Sequence, residues 1–95
     1  MNRFTVRVEL HNAAATDYER LHEAMRLAGF TRTISWDSEN ITYRLPWGEY
    51  NYTKESETHA VLSLAKGAAA TVSQSFEILV TPAGGPRAKY NLKRA

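Results

Sequence analysis

Ninety-five residues make one domain with room for a modest core, and ten aromatic residues within a 43% apolar composition argue for a folded chain. The absence of cysteine excludes a disulfide framework and any thiolate metal site. The formal charge of +2 hides an asymmetry: through Pro86 eight Lys and Arg face ten Asp and Glu, whereas the last nine residues carry Arg87, Lys89, Lys93 and Arg94 with no acid. A basic terminal segment suits contact with nucleic acid or an acidic partner; it also suits a solvated terminal strand. No apolar run approaches the roughly 20 residues that span a bilayer. The opening residues are polar and alternating, without the apolar stretch of a signal peptide. The expectation is a cytoplasmic protein with no membrane contact.

Arg3–Leu10 (RFTVRVEL) alternates with a strict period of two, placing Phe4, Val6, Val8 and Leu10 on one face and Arg3, Thr5, Arg7 and Glu9 on the other. Thr16-Asp17-Tyr18-Glu19 reads as a capping box, opening an amphipathic helix with Tyr18, Leu21, Met25 and Ala28 as its apolar stripe and Gly29 as its stop. Phe30–Trp36 is β-branched and aromatic, Asp37 to Asn40 supplies turn residues, and Ile41–Leu45 alternates again, so the pair predicts a hairpin. In that reading Tyr43 points towards the helices. Pro46 and Gly48 end the hairpin, and Glu49–Tyr52 resumes extended structure.

Ser56–Ser73 predicts a second helix, capped by Ser56, with Val61, Leu64, Ala65, Ala68 and Val72 facing inward. Gly67 within it costs about 1 kcal/mol against alanine unless it permits close packing. Ser75–Thr81 is a strand with Phe76, Ile78 and Val80 inward; Pro82 to Pro86 form a loop; Ala88, Tyr90 and Leu92 alternate as a short fifth strand. The order β-α-β-β-α-β plus one strand predicts an α+β fold of ferredoxin-like type, residues 1–95 forming a single domain, with an antiparallel sheet and both helices on one face. The predicted core is Phe4, Val6, Val8, Tyr18, Leu21, Met25, Ile34, Val61, Leu64, Phe76, Ile78 and Val80.

No phosphate-binding loop, Rossmann glycine motif or paired-histidine metal motif occurs, and His11, His22 and His59 are isolated in sequence. The open sheet face carries no aromatic ladder of the RNA-recognition type. It carries arginines instead: Arg3, Arg7 and Arg44 are candidate phosphate contacts, joined by Lys89 and Lys93 of the tail. The ordinary alternative is a solvated face with Arg7 paired to Glu9 or Glu77. Trp47, Tyr50 and Tyr52 make the most aromatic stretch, which either covers a core edge or forms a partner-binding surface.

The segments RFTVRVEL, DYERLHEAM, GFTRTI, TYRLP, EYNY, and AKGAAA before SFEILVT together resemble a family of small bacterial and phage-associated proteins grouped with GhoS, the endoribonuclease antitoxin of type V toxin–antitoxin systems. The resemblance spans nearly the whole chain. It implies a ferredoxin-like fold similar to the CRISPR-adaptation nuclease subunits. It also implies action on single-stranded RNA. The family's functional arginine on the first helix falls near His22, with Arg20 close by. Leu10-His11-Asn12 stands where those nucleases carry a metal-binding aspartate, so cleavage without metal or cofactor is expected. His22 or His11 would then act as acid–base group, with Arg20 beside them. The alternative is a non-catalytic, protein-binding regulator acting through a sheet edge or the Trp47–Tyr52 surface. An extra terminal strand further predicts a homodimer, which removes an exposed edge.

Overall fold

The computed structural model describes residues 3–84 and 87–95. The architecture is α+β and antiparallel, as expected, but divided into two sheets where one was expected, in the order β1 (Phe4–Leu10), α1 (Ala15–Leu27), β2 (Thr33–Trp36), β3 (Ile41–Arg44), β4 (Glu49–Tyr52), α2 (Thr58–Ala70) and β5 (Phe76–Pro82). β1 is the central strand of a three-stranded sheet ordered β4-β1-β5, antiparallel on both sides. Its period-two pattern works as predicted: Phe4, Val6, Val8 and Leu10 are buried beneath the helices, while Arg7 and Glu9 face outward.

The short EYNY segment is the main departure. It was expected only to resume extended structure, yet it pairs with β1 in full register from Phe4↔Tyr52 to Arg7↔Glu49. The predicted second strand, in contrast, divides its allegiance. Phe30 turns into the core, Thr31 bridges Asn51 of β4, Arg32 bends, and only Thr33 onward pairs with β3. The β2–β3 hairpin therefore leaves the main sheet as a two-stranded ribbon. Asn40, at φ 56°, supplies the left-handed residue of its turn.

Helix α1 begins earlier than the predicted Thr16 cap. Ala14 is the N-cap, and its N–H donates to the Asp17 carboxylate at 2.9 Å, so Asp17 rather than Glu19 serves the helix start. Helix α2 starts after Glu57, not Ser56, and ends at Ala70. Its inward face is Val61, Ala65, Ala68 and Ala69, small residues that let it lie close to α1 and the sheet. Leu64, expected in the core, is 41% exposed, because the contact face is rotated towards the alanines. Gly67 points into open space, so it contributes no close packing. Tyr18, Phe76, Ile78 and Val80 lie on the predicted face but are only partly buried, while Phe30, Tyr50 and Tyr52 complete the core.

The predicted fifth strand is reduced to a single bridge, Tyr43↔Arg94. Asn91 at φ 59° interrupts the extended run that Ala88, Tyr90 and Leu92 implied. The Gly85-Pro86 part of the predicted loop lies outside the described residues. From Arg87 the terminal segment crosses the outer face of the sheet, where the Arg87 guanidinium donates to Thr5 Oγ1 at 3.0 Å and Asn51 Oδ1 at 3.1 Å. It then follows the hairpin: Arg44 N–H donates to the Lys93 carbonyl and Ala95 N–H to that of Thr42. Tyr43 consequently faces this segment rather than the helices, with its ring 4.5 Å from Lys89 Nζ and its hydroxyl donating to Glu39.

Candidate functional site

Helix α1 brings His22 against the start of β4. His22 Nδ1 and Tyr50 Oη are 2.6 Å apart, and Trp47 stands edge-on to both His22, at 5.3 Å, and Tyr18, at 5.7 Å. Burial raises the Tyr50 hydroxyl well above its ordinary range, so it keeps its proton beside Nδ1. Nε2 is buried and, among the described residues, has no hydrogen-bond partner. Burial first, and the Arg32 charge second, lower the His22 pKa to about 4. At neutral pH the ring is uncharged, with one nitrogen engaged and the other enclosed. That is the environment of a packing histidine, and it does not suit the acid–base role expected of His22.

A cleft of about 510 Å³ beside it is lined by Glu19, His22, Glu23, Arg26, Phe30, Thr31 and Arg32. Its cations are partly neutralised, since Arg26 binds the Glu23 carboxylate through two hydrogen bonds at 2.7 and 2.9 Å. Neither Arg20 nor His11 lines this cleft. Arg20 projects into solvent and lies 3.7 Å from Asp17. His11 sits at the far end of β1, held between Ser75 Oγ and Glu77 Oε2. The three expected catalytic residues are thus not brought together.

The other predicted residues regroup. Tyr50 and Tyr52 are buried, at 0% and 6% exposure, and belong to the core rather than to a binding surface. Tyr52 packs on Phe4 and Phe30. Lys89 is drawn inward, 3.2 Å from Glu39 Oε2 and over the rings of Trp36 and Tyr43, which gives it a structural role in pinning the tail to the hairpin. Arg7 is exposed, 3.9 Å from Glu49, a different partner from the expected Glu9 or Glu77. Arg3 is exposed just before the central strand β1, beside Arg87.

Trp47, Arg44 and Lys93 do come together. The residues 44–47 that leave β3 and the residues 90–93 of the tail form the two walls of a groove of about 420 Å³. Trp47 is 57% exposed and Tyr90 is 92% exposed, while Arg44 and Lys93 are both exposed and, among the described residues, in no ion pair. Two aromatic faces and two free cations therefore line one concavity. Tyr90 escaped the sequence reading because the alternation with Ala88 and Leu92 placed it in a short fifth strand. Its separation in sequence from Trp47 left no local signal.

Gly48 positions this loop. Its carbonyl accepts from Val8 N–H at 2.7 Å, its φ is 82°, and a Cβ there would lie 2.8 Å from the Val8 carbonyl oxygen. Only glycine brings the loop so close to β1. Among the described residues no helix is long and apolar enough to cross a membrane. No protein-family model matches the chain, and no curated protein matches it.

Proposed function

We propose that the protein is a cytoplasmic, GhoS-like RNA-acting antitoxin that holds single-stranded RNA in the groove between residues 44–47 and 90–93. The observation that supports this reading is the meeting of exposed Trp47 and Tyr90 with Arg44 and Lys93, which form no ion pair among the described residues. Sequence-tolerant binding of single strands combines aromatic faces on which bases stack with cations that follow the phosphates. Each stacked base contributes about 1–3 kcal/mol.

Anisotropy titrations with a fluorescent single-stranded RNA at several salt concentrations test it. Affinity falls steeply with salt. Trp47→Ala or Tyr90→Ala weakens binding by about tenfold or more. Arg44→Ala or Lys93→Ala lowers the salt slope by about one. Recovering the RNA on a denaturing gel, with chelator present, reports the endoribonuclease step: shortened products support it and intact RNA removes it. No binding at low salt, or binding indifferent to Trp47 and Tyr90, refutes the groove; a protein complex disrupted by Trp47→Ala, without RNA binding, establishes the non-catalytic regulator instead. A two-fold homodimer is part of the proposal, supported by the free outer edge of β5 and by Leu79, 65% exposed beside it. Sedimentation at tens of micromolar showing a monomer of 10.7 kDa removes that part.

A further inference from the structure

The β1–β5 register sets Glu9 directly opposite Glu77 on the outer face of the sheet. Like charges so placed destabilise a strand pair. Arg7, on the same face, lies 3.9 Å from Glu49. His11, two residues beyond Glu9, is tied to the residue before β5 by its backbone N–H, which donates to the Ser75 carbonyl at 3.0 Å. Its ring reaches Ser75, just before β5, and Glu77 on that strand, with Nδ1 2.6 Å from Ser75 Oγ and Nε2 2.8 Å from Glu77 Oε2. One donor atom from each of Glu9, His11 and Glu77 lies within 4.8 Å of the other two.

We propose that Glu9, His11 and Glu77 form a binding site for one divalent transition cation, of which Zn²⁺ is the best match. One imidazole nitrogen with two carboxylate oxygens is a donor set that Zn²⁺ accepts at about 2.0–2.2 Å, whereas Mg²⁺ and Ca²⁺ select oxygen alone. Ser75 holds the ring through Nδ1 and leaves Nε2 as the ligand atom, the arrangement by which an outer partner orients a metal-bound histidine. Both glutamates are exposed, so the remaining coordination position opens to solvent. The cation neutralises the facing carboxylates and links the ends of β1 and β5. This site stands apart from the RNA groove and does not depend on it.

Calorimetric titration of the full chain with zinc chloride, together with imidazole NMR, tests the site. The expected result is one Zn²⁺ per chain and a selective shift of the His11 ring, with His22 and His59 unmoved. Glu9→Gln and Glu77→Gln, near-isosteric changes at exposed positions, each weaken binding by about tenfold or more. His59→Ala leaves it unchanged, and Mg²⁺ does not displace the metal. No binding in millimolar Zn²⁺, movement of His22 or His59 in place of His11, or affinity indifferent to both glutamine variants overturns the proposal.

Discussion

Replacing His22 by phenylalanine separates a packing histidine from a titrating one. In the folded protein the ring accepts a proton only near pH 4, against an ordinary value of 6.5. The unfolded chain therefore binds that proton first as pH falls. A lowered folded-state pKa means that wild type has its full stability above pH 6.5 and loses it progressively towards pH 4. At 1.36 kcal/mol per pH unit the displacement sets an upper bound of about 3 kcal/mol on the loss. Solvent at the exposed edge of the ring screens part of it, so about 1–2 kcal/mol is expected by pH 4.5. His22→Phe keeps the ring against Trp47 and removes the titration, at a pH-independent cost of about 1–3 kcal/mol for the unpaired Tyr50 hydroxyl. Urea unfolding of both proteins at pH 7 and pH 4.5 reads the difference, because the shared carboxylates cancel. Wild type should lose more stability than the variant over that interval, and the His22 ring signals should stay unshifted between pH 7 and 5. Equal losses, or a His22 midpoint near 6.5, refute the buried, neutral assignment and reopen acid–base chemistry at this residue.

Val8→Ala removes a fully buried side chain at the centre of β1 and should cost about 2–4 kcal/mol, whereas Leu64→Ala, on the exposed side of α2, should cost less than about 1 kcal/mol; thermal melts of the pair check the rotated helix face. Gly67→Ala adds a methyl group to open space inside a helix and should stabilise by about 1 kcal/mol. Gly48→Ala should destabilise by more than about 1 kcal/mol, since a positive φ and the Val8 carbonyl both oppose the new Cβ, and denaturant midpoints for the two glycine variants should move in opposite directions.

The alternation of Phe4 to Leu10 and the stripe Leu21–Met25 are local patterns, and they determined the first strand's buried face and the first helix's contact line without reference to the rest of the chain. The α+β class followed from the order of such segments. Pairing was not legible, because a four-residue strand carries too little pattern to name its partner. EYNY became the neighbour of β1 only because Gly48 lets the chain approach Val8, and the ribbon left the sheet because Thr31 and Thr33 serve different strands. The rotated face of α2 depended on where three alanines could meet the strands. Sequence singled out Trp47, Arg44 and Lys93 but not their meeting with Tyr90, and it listed Glu9, His11 and Glu77 without the register that sets two carboxylates face to face. Side-chain type is written residue by residue; proximity between residues as far apart in sequence as Glu9 and Glu77 is decided by backbone hydrogen bonds formed only when the whole sheet assembles.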